Sequence, residues 1–124
     1  MHYRDAVIWK KAMDLGEQVC RLLANLPDEE RFGLRSQLSR AAISVPSNIA
    51  EGWSRESRRE KAQFLAIAQG SLSELHTQLL LSERLGWLPT QALHGPYDLI
   101  DETSRMLTTL RKQLRNTSGT WSGR

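Results

Sequence analysis

The sequence predicts an all-α chain folded as an antiparallel, up-down-up-down four-helix bundle. Three observations carry that prediction. Apolar residues recur at steps of three and four in four separate segments, which is the period of an amphipathic helix. Short stretches holding Pro27, Gly33, Ser57, Gly86 and Pro89 separate the segments, and these residue types start, stop or redirect helices. No segment alternates long enough at period two to be a strand. Amphipathic helices on short connections pack most simply as antiparallel neighbours.

The first helix is expected over residues 5 to 26. It carries two adjacent stripes, Trp9, Met13, Gly16, Cys20 and Leu23 beside Ile8, Ala12, Leu15, Val19, Leu22 and Leu26. Together they make an apolar face wide enough for a bundle core. Pro27 closes the helix, and residues 28 to 33 read as an acidic turn in which Gly33 redirects the chain. The second helix covers residues 32 to 53, with Leu34, Leu38, Ala41, Ala42, Val45, Ile49 and Trp53 on one face. Pro46 lies inside it. A proline there removes a backbone donor and crowds the carbonyl four residues back, at a cost on the order of 3 kcal/mol. The apolar period passes Pro46 without a phase break, which predicts one bent helix rather than two. The small residues Ala41, Ala42, Ser44, Ser47 and Ala50 would admit a neighbouring helix at close range there.

Ser57 and Glu60 form a capping box, so the third helix begins near Arg58. Phe64, Leu65, Ala68, Leu72, Leu75 and Leu79 give its buried face, and Gly86 marks its end before Trp87, Leu88 and Pro89. Thr90 can cap the fourth helix, but Gly95 and Pro96 interrupt, which places the start of its regular part at Pro96. Two stripes follow, one from Leu93 through Tyr97, Ile100, Ser104 and Leu107 to Leu114, the other made of Leu99, Thr103, Met106 and Leu110. Residues 1 to 115 therefore read as one domain. Residues 116 to 124, NTSGTWSGR, have no period and read as a flexible tail.

A chain of 124 residues supports one core and not two. No run approaches the ~20 apolar residues that span a bilayer, and Arg4, Asp5, Lys10 and Lys11 stand where a secretion signal would be apolar. These features point to a cytoplasmic protein without membrane contact. Cys20, the single cysteine, falls on a helical apolar stripe and is expected to be a buried, inert thiol.

The net charge is only +3, but the topology sorts it. The start of the first helix, the junction of the second and third, and the end of the fourth share one end of an up-down bundle. Arg4, Lys10, Lys11, Arg55, Arg58, Arg59, Lys61, Arg111, Lys112, Arg115 and Arg124 gather there, against Asp5, Glu51, Glu56 and Glu60. Eleven basic and four acidic side chains balance at +7, leaving −4 for the remainder. Two readings stand. Cations at helix C-termini complement the macrodipole and keep a surface soluble. Arg58, Arg59 and Lys61, at the start of a helix, do not fit that reading and favour an anionic partner, with contacts led by phosphate. Trp53 belongs either to the core or a subunit interface, or to a stacking platform for a base. Trp9 reads as core and Trp87 as a lid on the opposite end.

Asn48 and Glu51 on the second helix, with Glu74 and Gln78 on the third, are spaced to form a structural polar network that fixes helix register or a subunit contact. A carboxylate metal site is the sharper alternative, but di-metal bundles place a Glu three residues before a His, and none of His2, His76 and His94 follows a glutamate at that spacing. There is no phosphate loop, zinc spacing or activated nucleophile. The expectation is a protein that is not an enzyme, with no cofactor and no metal.

The run RFGLRSQLSRAAISVPSNIAEGW, followed by FLAIAQGSLSELHTQLLLSERLGWL, with the opening YRDAVIWKKAMDL and the late RMLTTL, resembles the four-helix-bundle proteins of intervening sequences in large-subunit ribosomal RNA genes. That family is related to the accessory variability proteins of diversity-generating retroelements. The resemblance covers the chain to about residue 115; Gly95, Pro96, Thr108 and Thr109 depart from its usual pattern. It implies a ring-like homo-oligomer, a pentamer, whose basic surface binds RNA or DNA and which partners a reverse transcriptase. Arg55, Arg58, Arg59, Lys61, Arg111, Lys112 and Arg115 are the candidate phosphate contacts. A protein-protein scaffold with no nucleic-acid affinity is the other reading.

Overall fold

A computed structural model of the chain describes residues 1–30 and 32–116. Four α-helices make up the described part, α1 (Val7–Leu22), α2 (Leu34–Ser54), α3 (Arg58–Arg84) and α4 (Thr90–Asn116), with single-turn helices at Tyr3–Asp5, Leu23–Asn25 and Asp28–Glu30. No strand occurs among the described residues. The expected tail lies almost wholly outside them.

The helix ends follow from local chemistry. Leu26 precedes Pro27 and is extended (φ −80°, ψ 148°), as the proline ring demands of its predecessor, so the first helix tightens into a last turn at Leu23–Asn25 and stops. Ser57 Oγ accepts from the Glu60 amide at 3.1 Å and starts α3. At the far end of α3, Gly86 adopts a left-handed conformation (φ 75°). This turns the chain so that the Gly86 and Trp87 amides donate to the carbonyls of Glu83 and Ser82, each at 3.0 Å.

Two prolines sit inside helices. α2 runs on through Pro46, which is buried and gives the Ala42 carbonyl no donor. A Cβ on Gly16 of α1 would lie 3.3 Å from that same carbonyl oxygen, so the two backbones close on each other where the small residues of α2 were expected to admit a neighbour. The fourth helix corrects the sequence reading. It begins at Thr90, not Pro96, and passes Gly95 and Pro96 without a break. Pro96 is buried, and Gly95 lies exposed beside α1, where an added Cβ would meet the movable end of the Gln18 side chain, Oε1 at 2.7 Å. Burial of the Pro96 ring offsets the hydrogen bond it removes from the second turn.

Cross-helix pairs fix the topology. Ser44 and Ser71 share a hydrogen bond at 2.7 Å, and Arg40 reaches Glu74 at 2.9 Å, so α2 and α3 run antiparallel. Lys11 meets Glu102 at 2.6 Å, setting the first half of α1 beside the middle of α4, while Gln18 further along α1 lies against Gly95 nearer its start. That Lys11 ammonium holds the Glu102 carboxyl below its ordinary pKa of 4.5, first by hydrogen bonding and then by charge. The bundle is up-down-up-down. The core between its four helices is aliphatic, with Ile8, Leu15, Leu38, Ile49, Leu65, Leu72, Leu75, Leu79, Leu93 and Leu107 all fully buried.

Only one of the two α1 stripes enters that core. Ile8, Ala12, Leu15 and Val19 are buried, whereas Met13 is 45% exposed and Trp9 and Gly16 are half-buried. Cys20 is exposed, not the buried thiol expected. A helix in a four-helix bundle turns only about a third of its circumference inward, and the second stripe falls outside that arc. It forms instead one wall of an apolar cleft whose other wall is Ile43, Pro46 and Ala50 of α2. Among the described residues, no helix is long and apolar enough to cross a membrane.

Candidate nucleic-acid interface

The three-residue turn between α2 and α3, Arg55 to Ser57, stands at the same end of the bundle as the start of α1 and the end of α4. The basic residues there divide by what they touch. Lys61 donates from Nζ to the Trp53 carbonyl at 3.1 Å and to the Gly52 carbonyl at 3.5 Å. These are among the last carbonyls of α2, where the helical hydrogen-bond ladder runs out, although Gly52 still receives the Arg55 amide at 3.3 Å, and a cation there is worth roughly 0.3–1 kcal/mol. Burial lowers the Lys61 pKa from its ordinary 10.5. A cation placed unfavourably for α3 is thus placed favourably for α2.

Arg55 is similarly engaged. Its guanidinium pairs with Glu51 at 3.0 Å, lies 3.8 Å from Glu60 and sits 4.8 Å from the centre of the Phe64 ring. Arg58 is half-buried. Arg111 is also half-buried and donates from Nη1 to Gln69 Oε1 of α3 at 2.7 Å. Arg59, Lys112 and Arg115 are exposed, and among the described residues no carboxylate pairs with any of them. The surface open to an anion is therefore the α3–α4 side of this end: Arg59, Lys112 and Arg115, with Arg111 held in the seam. Arg55 and Lys61 turn toward α2.

Trp53 is 9% exposed, inside the core, and offers no face for a base to stack on. Trp9 lines the α1–α2 cleft, while Trp87 packs half-buried against the opposite end of the core.

The expected network of Asn48, Glu51, Glu74 and Gln78 does not assemble. Asn48 donates to the carbonyl and hydroxyl oxygens of Ser44, both at 2.9 Å. Glu51 pairs with Arg55 and Glu74 with Arg40, while Gln78 Oε1 is buried without a hydrogen-bond partner. Register is the cause. Residues facing across the α2–α3 hairpin have numbers that add to about 115, as Ser44 with Ser71 and Arg40 with Glu74 do. Asn48 and Glu51 consequently face the level of Ile67 and Phe64, about two turns from Glu74 and further from Gln78. The hydroxyls that do meet across this seam are those of Ser44, which reads in the sequence merely as a small residue, and Ser71. Gln69 was missed too; its only sequence signal is a polar side chain at the edge of the buried stripe of α3. Among the described residues, no group of three or more His, Cys, Asp or Glu is placed to hold a metal ion.

A family model described as 23S rRNA-intervening sequence protein matches residues 4–109 of the chain. No curated protein matches it.

Proposed function

The chain belongs to the 23S rRNA-intervening sequence protein family, and on that premise we propose that it is a non-enzymatic, homo-oligomeric cytoplasmic protein that binds nucleic acid through phosphates and acts as an adaptor. The observation that carries this reading is the exposed set Arg59, Lys112 and Arg115, whose charge no carboxylate among the described residues cancels. Elsewhere on the bundle Arg21, Arg40 and Arg105 each pair with an acid, while exposed Arg84, at the opposite end, stands singly rather than in a cluster of cations. Point contacts to phosphate carry no base information, so binding is sequence-tolerant and weakens steeply with salt.

Self-association is supported by the cleft between α1 and α2, where Met13 and Ile43 are exposed and Trp9 and Ala50 half-buried beside the Pro46 ring at its floor. A ring, a pentamer by resemblance, would multiply the basic set and with it the avidity for a polyanion. A reverse transcriptase is the protein partner that the resemblance suggests for such an adaptor.

Size-exclusion chromatography with light scattering tests the proposal, run on pure protein with and without a generic RNA of about 20 nucleotides at low and moderate salt. The expected result is an oligomer that shifts with RNA and releases it as salt rises; Met13→Glu, which puts a charge into the cleft, lowers the mass. A species indifferent to RNA at both salts would sink the phosphate reading and leave a protein-protein scaffold.

A further inference from the structure

Arg111 is held differently from the arginines that sit in ion pairs. Arg21, Arg40, Arg55 and Arg105 each touch a carboxylate, which cancels much of the charge a phosphate would meet. Arg111 is held by a neutral amide, Gln69 Oε1, at 2.7 Å. The other end of that amide is occupied as well: Gln69 Nε2 donates to Thr108 Oγ1 at 3.0 Å and to the Ser104 carbonyl at 3.4 Å. Thr108 in turn donates its hydroxyl proton to the Ser104 carbonyl at 3.0 Å, which leaves its lone pairs for Gln69. Reversing the amide would set an NH2 against the guanidinium, donor against donor, so the α4 stripe Ser104, Thr108 and Arg111 dictates one orientation of Gln69.

We propose that Gln69 is a positioning residue for nucleic-acid binding: it fixes the Arg111 guanidinium in the α3–α4 seam without neutralising it, so that its remaining N–H donors are presented to a phosphate together with Arg115. This rests on the phosphate-binding reading given above. The physics is preorganisation. A guanidinium carries five N–H donors, of which Gln69 Oε1 takes one, and a fixed fork loses less rotamer freedom on binding than a free side chain. Thr108 is the second half of the clamp and acts on Arg111 through Gln69.

A double-mutant cycle on the full chain tests this, with affinity for a 20-nucleotide RNA read by fluorescence anisotropy at several salt concentrations. Arg111→Ala is expected to weaken binding about fivefold at 0.1 M salt and to lower the salt slope by about 0.7, one single-strand phosphate contact. Gln69→Leu keeps the arginine but frees it, so affinity falls roughly two- to tenfold with the slope unchanged, and the same substitution costs nothing further when Arg111 is already alanine. Gln69→Glu holds the guanidinium yet cancels its charge, and so binds more weakly than Gln69→Leu. Should Gln69→Leu fold poorly, Thr108→Val breaks the clamp from the other side and enters the same cycle.

A loss from Gln69→Leu that persists in the Arg111→Ala background would overturn the proposal, since the glutamine would then act on structure alone. A Gln69→Glu variant that binds like wild type would overturn it as well. If Arg111→Ala is silent while combined replacement of Arg59, Lys112 and Arg115 weakens binding, the positioning role falls and the proposed function stands. Silence of both would remove both.

Discussion

Truncating Leu75 to alanine lowers the unfolding free energy by about 2–5 kcal/mol, the range for deleting a buried leucine side chain into a packed core. Leu75 is fully buried more than two turns from either end of α3, where the helix packs between α2 and α4 and no loop can collapse to fill the space. Total stability for a domain of this kind is on the order of 5–15 kcal/mol, so one such cavity takes a large share. Leu80, on the same helix but 41% exposed, is the control. Leu80→Ala stays within about 0.5 kcal/mol of wild type. Urea unfolding checks both, through a shifted midpoint at constant slope. Equal midpoints for the two variants would contradict the burial on which the four-helix core rests.

The second large effect falls on nucleic-acid binding. Replacing Arg59, Lys112 and Arg115 together by serine removes three phosphate contacts. At about 0.7 in the salt slope per single-strand contact, the slope drops by about 2, and affinity at 0.1 M salt falls about a hundredfold. All three side chains are exposed and stand outside the core, so the melting temperature changes little. Lys61→Ser behaves the opposite way, losing the cap on the Gly52 and Trp53 carbonyls, and with it stability, while leaving most of the salt dependence in place. Anisotropy titrations beside thermal melts separate the two variants. An unchanged slope in the triple variant would mean that phosphate is not read by this surface.

How far the sequence carried can be argued from single residues. Ser57, Glu60 and Gly86 announced the two ends of α3 because caps are local, needing only neighbours within a turn or two. The stripes of α2, α3 and α4 announced the core because period is local as well. Charge could be assigned to an end of the bundle, since topology alone decides that. What each charge does there depends on rotamer and register across helices, and neither is local. Lys61 reaches back eight residues to Trp53, and Arg111 reaches across to a residue 42 positions earlier. The same non-locality undid the Asn48, Glu51, Glu74 and Gln78 network, because spacing within each helix says nothing about how two helices are aligned. Gly95 and Pro96 misled for a related reason: both look like breaks, but the helix runs through them, with the Pro96 ring buried against the neighbouring helices.

The short turn that places Lys61 beside the last carbonyls of α2 also bears on how the chain folds. α2 and α3 meet after closing a loop of three residues, the least entropy any helix pair in this chain pays for contact. Their seam is then stitched along its length by Lys61, by Ser44 with Ser71 and by Arg40 with Glu74. This hairpin is the natural nucleus, and α1 and α4 dock on it afterwards, with most contacts of low sequence separation and folding accordingly fast. Its kinetic signature is high φ-values in α2 and α3 and low ones in α1 and α4; the reverse pattern would place the nucleus elsewhere.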